Sequence, residues 1–158
     1  MKTKKKITVF TSGSFDLFHK GHLNLLERSK KLGDFLIVSV STDKLILDYK
    51  KIKPIVPYRE RVKIIRALKC VNKTIPQTQL TDISDLKRHN VDIITIGSDW
   101  KGKYEQLEGV KFAKKKGIKV IYLPYTKGIS TSLRIKKILD RAYELISSRF
   151  ERGISKIY

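Results

Sequence analysis

Five short apolar runs punctuate the chain, at residues 7–10, 35–40, 73–75, 93–96 and 119–123. Between them lie stretches of helical spacing at 23–32, 59–68, 83–90 and 104–116. The runs are rich in β-branched residues and continuous rather than alternating, with the third the weakest. A strand covered on one face alternates apolar with polar residues, whereas one covered on both faces stays apolar throughout, as parallel strands do. Strands and helices alternating in this way predict an α/β, doubly wound, mainly parallel five-stranded sheet with helices on both faces. Such sheets bind ligands outside the carboxyl ends of their strands. A last segment, 133–150, carries Ile135, Ile138, Leu139, Tyr143 and Ile146 at helical spacing. It is expected to be a helix packed on the core at the sheet edge, or on a partner subunit. The basic tail that follows has no pattern.

The 158 residues suit one domain over 1–158, with its core at about 6–140. One cysteine, Cys70, forbids an internal disulfide, and no apolar run is long enough to span a bilayer. The lysine-rich start lacks the apolar stretch of a secretory signal, so a cytoplasmic protein without membrane insertion is expected. The net charge of +20, from 35 basic and 15 acidic side chains, raises nucleic acid as a partner. The basic residues are scattered over helix faces, loops and termini, with neither interleaved aromatics nor a basic recognition helix. That distribution speaks against specific nucleic-acid binding and for drawing in small anionic substrates.

The most informative stretch follows the first run: Gly13-Ser14-Phe15-Asp16-Leu17-Phe18-His19-Lys20-Gly21-His22. Small residues where a strand hands over to a helix let backbone approach a ligand, and the helix's first N–H groups favour an anion there. Two imidazoles three residues apart can both donate to phosphoryl oxygens. The only other histidine is His89, so the pair reads better as part of a phosphate cradle than as half of a zinc site.

Gly13-Ser14-Phe15-Asp16 followed by His19-x-Gly21-His22 resembles the signature of the cytidylyltransferase family, a branch of the nucleotidyltransferase superfamily. The resemblance spans roughly residues 6–140 and implies a Rossmann-like fold. It also implies a nucleotide-binding turn formed by Gly13, Ser14, Phe15, Asp16, His19 and His22. Pro57-Tyr58-Arg59-Glu60-Arg61 is similar to the family's Tyr-x-x-Arg box, which makes Arg61 a phosphate clamp, since a guanidinium grips phosphate through forked donors. A lysine after Ser41-Thr42-Asp43 should contact the phosphates of both substrates; Lys51 is the first choice, with Lys50 and Lys53 beside it in a lysine-rich loop. Gly97-Ser98-Asp99-Trp100 resembles the glycerol-phosphate branch, with Asp99 accepting from hydroxyl or amino groups and Trp100 supplying a flat wall. Gly128-Ile129-Ser130-Thr131-Ser132 resembles the box whose hydroxyls meet the triphosphate, which assigns Ser130 and Thr131. Just upstream the family's Arg-Thr-Glu is Tyr125-Thr126-Lys127, and Lys127 or Arg134 could stand in for the missing arginine.

The implied reaction is transfer of CMP from CTP to a small phosphomonoester, glycerol 3-phosphate being the first choice of acceptor, with Mg²⁺ carried on the CTP phosphates. Phosphocholine, phosphoethanolamine and ribitol 5-phosphate are other acceptors, and an adenylyltransferase, FAD synthetase-like or acting on a sugar phosphate, is the competing reading. Asp16 could orient a histidine or simply hold the turn. The family implies a homodimer.

Overall fold

The computed structural model describes the backbone of residues 5–154 and the side chains of residues 5–148. Five strands form one all-parallel sheet in the order β3-β2-β1-β4-β5. They are β1 (Thr8–Gly13), β2 (Phe35–Ser41), β3 (Lys73–Gln77), β4 (Ile93–Gly97) and β5 (Lys119–Leu123). Neighbouring residues on the inner strands feed two separate cores, which is why their apolar runs do not alternate. Val9, Leu36, Val38 and Ile93 join Leu26 of α1 (Lys20–Lys30) and Ile65 of α3 (Tyr58–Arg66) on one face. Phe10, Ile37 and Ile94 join Leu86 of α4 (Ile83–Arg88) and Val110 and Ala113 of α5 (Glu108–Lys115) on the other. The weak third run is β3, an edge strand, where Pro76 and exposed residues are tolerated.

Two of the polar side chains buried at the sheet, Thr11 and Thr95, tie neighbouring elements together, whereas the buried Ser39 hydroxyl has no partner. Thr11 Oγ1 donates to the Thr95 carbonyl at 3.0 Å, and the Ser29 and Thr95 hydroxyls meet at 2.7 Å, so α1 is fastened to the centre of the sheet.

Two segments differ from the sequence reading. The lysine-rich stretch expected to be a loop holds a helix, α2 (Asp43–Lys50). Thr42 caps it by accepting from the Leu45 N–H at 3.2 Å, and Leu45 and Ile46 are buried. The helix stops at Lys51, whose φ of 59° is left-handed. The second difference is α6 (Thr131–Ile154), which does not pack on the core as expected. From Lys136 to Ile146 every residue is exposed, including Ile138 at 60% and Tyr143 at 74%.

Candidate active site

The β1–α1 turn is built to hold two imidazoles. A Cβ on Gly13 would sit 3.2 Å from the Phe15 ring, so glycine lets that ring tuck beneath the strand end, where it meets His22 edge-on with centroids 5.4 Å apart. His19 is the N-cap of α1: its Nδ1 accepts from the His22 N–H at 3.3 Å. With Nδ1 as acceptor, the His19 proton is assigned to Nε2 and remains available to a ligand. The two rings stack 3.8 Å apart at 15°. Gly21 makes room for this, since a Cβ there would lie 2.9 Å from His19 Cε1. Gly21→Ala is therefore expected to displace the His19 ring and lower kcat about tenfold to a hundredfold. Its melting temperature should hold, because alanine favours the helix; unchanged kcat would show that the ring position is uncritical.

Burial is the main reason both histidines resist protonation. It pushes His22 down to about 3, helped by the neighbouring His19 and Lys50 and opposed by Asp16. His19 is lowered by burial and by Arg134. Nδ1 of His22 is buried without a hydrogen-bond partner. For His22 the folded value lies below the unfolded value of 6.5, so between 6.5 and about 3 the unfolded chain binds the extra proton, and stability falls as the pH falls. Down to about pH 4 this one group should cost about 3 kcal/mol, a loss that His22→Gln removes. Urea unfolding of both proteins across that range checks it; parallel curves would refute the burial effect.

The far end of the chain closes the site. Thr131 Oγ1 donates to the Asp16 carbonyl at 3.0 Å, bringing the start of α6 against the histidine turn across 115 residues of sequence. Ser130 Oγ accepts from the Leu133 N–H at 3.1 Å and keeps its own proton to donate. His19, His22, Ser130 and Thr131 line one cleft of about 460 Å³ together with Gly13 and Ser14. Asp99 and Trp100 line it too, on the 3-10 turn Ser98–Trp100 that follows β4. A Cβ on Gly97 would collide with the Asp99 carboxylate, so glycine sets that carboxylate's approach.

Arg61 and Lys51 have other roles in this geometry, and Asp16 takes the turn-holding one of its two expected roles. Arg61 is 1% exposed and lies outside the cleft, with each guanidinium nitrogen occupied. Nε donates to the Val56 carbonyl at 2.9 Å, one terminal nitrogen to the Ser14 carbonyl, and the other to Asp43 at 2.6 Å. In this geometry it braces the β1–α1 turn, with its guanidinium spent on protein partners. Asp16 spends its carboxylate on the N–H groups of Leu17, Ile55 and Val56, at 3.0, 2.9 and 2.8 Å, and so holds the turn. Lys51 points away, donating to the Asp48 carbonyl at 2.7 Å, while Lys50 lines the cleft. Burial and Arg61 lower the Lys50 pKa, and Asp16 opposes them.

Sequence reasoning missed several lining residues. Ser41 and Gln77 end β2 and β3, where their side chains meet at 2.5 Å; the carboxyl-end rule pointed to both positions. Tyr104 meets the Ser12 hydroxyl at 3.3 Å and had no sequence signal. Tyr125, in place of the family's arginine, donates from its hydroxyl to the Ile129 carbonyl at 2.9 Å and shapes the loop that carries Ser130. Lys127 does not line the cleft, whereas the charge of Arg134 is felt at His19.

Residues 10–137 match the cytidylyltransferase-like family model. The chain is 47% identical over 130 residues to the glycerol-3-phosphate cytidylyltransferase of Bacillus spizizenii, covering 82% of this chain and 94% of that one. It is 35% identical over 144 residues to the FAD synthase of Thermococcus sibiricus, covering 89% and 97%. Among solved structures it superposes on the lipopolysaccharide core biosynthesis protein from Thermoplasma volcanium with a TM-score of 0.64 at 32% identity, over 79% of this chain and all of the other. A helix-capping histidine stacked on a second one, in one cleft with hydroxyls at the carboxyl edge of a parallel sheet, agrees with these matches: the chain belongs to the cytidylyltransferase-like family.

Proposed function

We propose that this enzyme transfers CMP from CTP to glycerol 3-phosphate, releasing CDP-glycerol and pyrophosphate. The observation that carries the reading is the shared cleft, which His19, His22, Ser130, Thr131, Asp99 and Trp100 line together. A phosphomonoester oxygen attacks the α-phosphorus in line, the bond to the β-phosphate oxygen breaks, and pyrophosphate takes the electron pair. The acceptor is already ionised at neutral pH, so the protein has to supply alignment and donors instead of a base. His19 Nε2–H, His22, the Ser130 hydroxyl and the N–H groups of Thr131 and Ser132 at the start of α6 serve the triphosphate. Thr131 anchors that turn through its bond to Asp16. Lys50 takes the clamping role at the acceptor, and Asp99 receives acceptor hydroxyls beside Trp100.

Among the described residues no three His, Cys, Asp or Glu side chains gather as metal ligands. The donors present suit Mg²⁺ arriving on CTP, where it neutralises phosphate charge. The family implies a homodimer, and the single cysteine suits the cytoplasm; sedimentation velocity tests the assembly.

The adenylyl reading draws on the FAD synthase relatives and on Tyr125 in the arginine position. The deciding experiment crosses CTP and ATP with glycerol 3-phosphate, phosphocholine, phosphoethanolamine, ribitol 5-phosphate, a sugar phosphate and FMN, scored by pyrophosphate release. Turnover with CTP and glycerol 3-phosphate is expected; turnover confined to ATP and FMN would replace this function and spare the fold.

A further inference from the structure

The family match ends at residue 137, while α6 continues to Ile154. On that continuation Ile138, Leu139, Tyr143, Leu145 and Ile146 are each more than half exposed. At 100° per residue these side chains, with Ala142, fall within an arc of about 160°. The charges around the arc are ordered. Arg134 and Arg141 border it next to Leu145, and Lys136 borders it next to Tyr143. Asp140, Glu144 and Lys137 lie on the opposite face. Arg134, Lys137 and Arg141 also wall a shallow groove over Ile138, Ala142 and Leu145.

We propose that α6 lies on an anionic lipid surface, its apolar arc sunk among acyl chains and its arginine and lysine margins against the headgroups. An interfacial helix needs this arrangement: an exposed apolar face, basic residues where it meets the polar face, and acids turned to water. The chain's net charge of +20 attracts the same surface. A second copy fits the face less well. It would bring an equal charge and the same basic margins, and a paired helix covers only a narrow seam of such an arc. Because α6 begins in the wall of the cleft, docking would hold the cleft at the membrane surface.

Co-sedimentation of the full chain with vesicles tests this, one set of phosphatidylcholine alone and one with a third of it replaced by phosphatidylglycerol. Binding to the anionic set should be at least about tenfold tighter. Ile138→Glu with Ile146→Glu should lose that binding while cytidylyl transfer in the absence of vesicles stays at the parental rate. Tyr143→Ala, a milder change, should weaken it. Arg141→Glu should weaken it on anionic vesicles and leave phosphatidylcholine unaffected. No binding to either set overturns the proposal. So does equal binding by the Ile138→Glu/Ile146→Glu variant, which would reduce the effect to net charge. A dimer in solution that this same variant dissolves would assign the face to a second copy instead.

Discussion

His22→Ala is expected to cut turnover by at least about a hundredfold and leave the fold standing. The imidazole stacks on His19 at 3.8 Å in the wall shared with Ser130 and Thr131, so its loss removes a donor from the place where phosphate charge builds. The bond that caps α1 uses the backbone N–H of residue 22 and survives the change. The variant also deletes a buried ring nitrogen that has no partner, which offsets part of the lost packing. Pyrophosphate release measured beside circular dichroism decides the matter. Near-parental turnover would take the histidine pair out of the chemistry.

Arg61→Met should lower the unfolding free energy by about 3 kcal/mol or more. The carboxylate of Asp43 is about half exposed, so its side of the ion pair contributes little of this. The larger share comes from the Ser14 and Val56 carbonyls, which lose their donors, and from an arginine-shaped volume that methionine fills incompletely. Urea unfolding measures the loss. A stability change under about 1 kcal/mol together with a raised KM would restore the phosphate-clamp role.

The difference between a clamp and a brace was not legible in the sequence, because an arginine at a helix start looks the same whether water or carbonyls surround it. The sheet was legible for a definite reason: Val9 and Phe10 enter different cores, and a strand buried on both sides has no polar face to interrupt its run. The histidine turn and the Ser-Thr box were legible through the resemblance, and the fold brought them together. Helix α2 was hidden because charged residues fill half of its eight positions, leaving the Thr42 cap as its one clear signal. Lys50 and Lys51 could not be separated, since neighbours at a helix end point in different directions and only the left-handed φ at Lys51 decides which faces the cleft. For α6, helical spacing was clear, yet periodicity shows that a face is apolar without saying what covers it.

Asp16 is the junction where three distant stretches meet, its carboxylate on residues 55 and 56 and its carbonyl on residue 131. No portion of the polypeptide shorter than the stretch from residue 16 to residue 131 contains all of these partners. A chain whose residue 131 is still inside the ribosome can therefore have all five strand segments outside and no complete cleft.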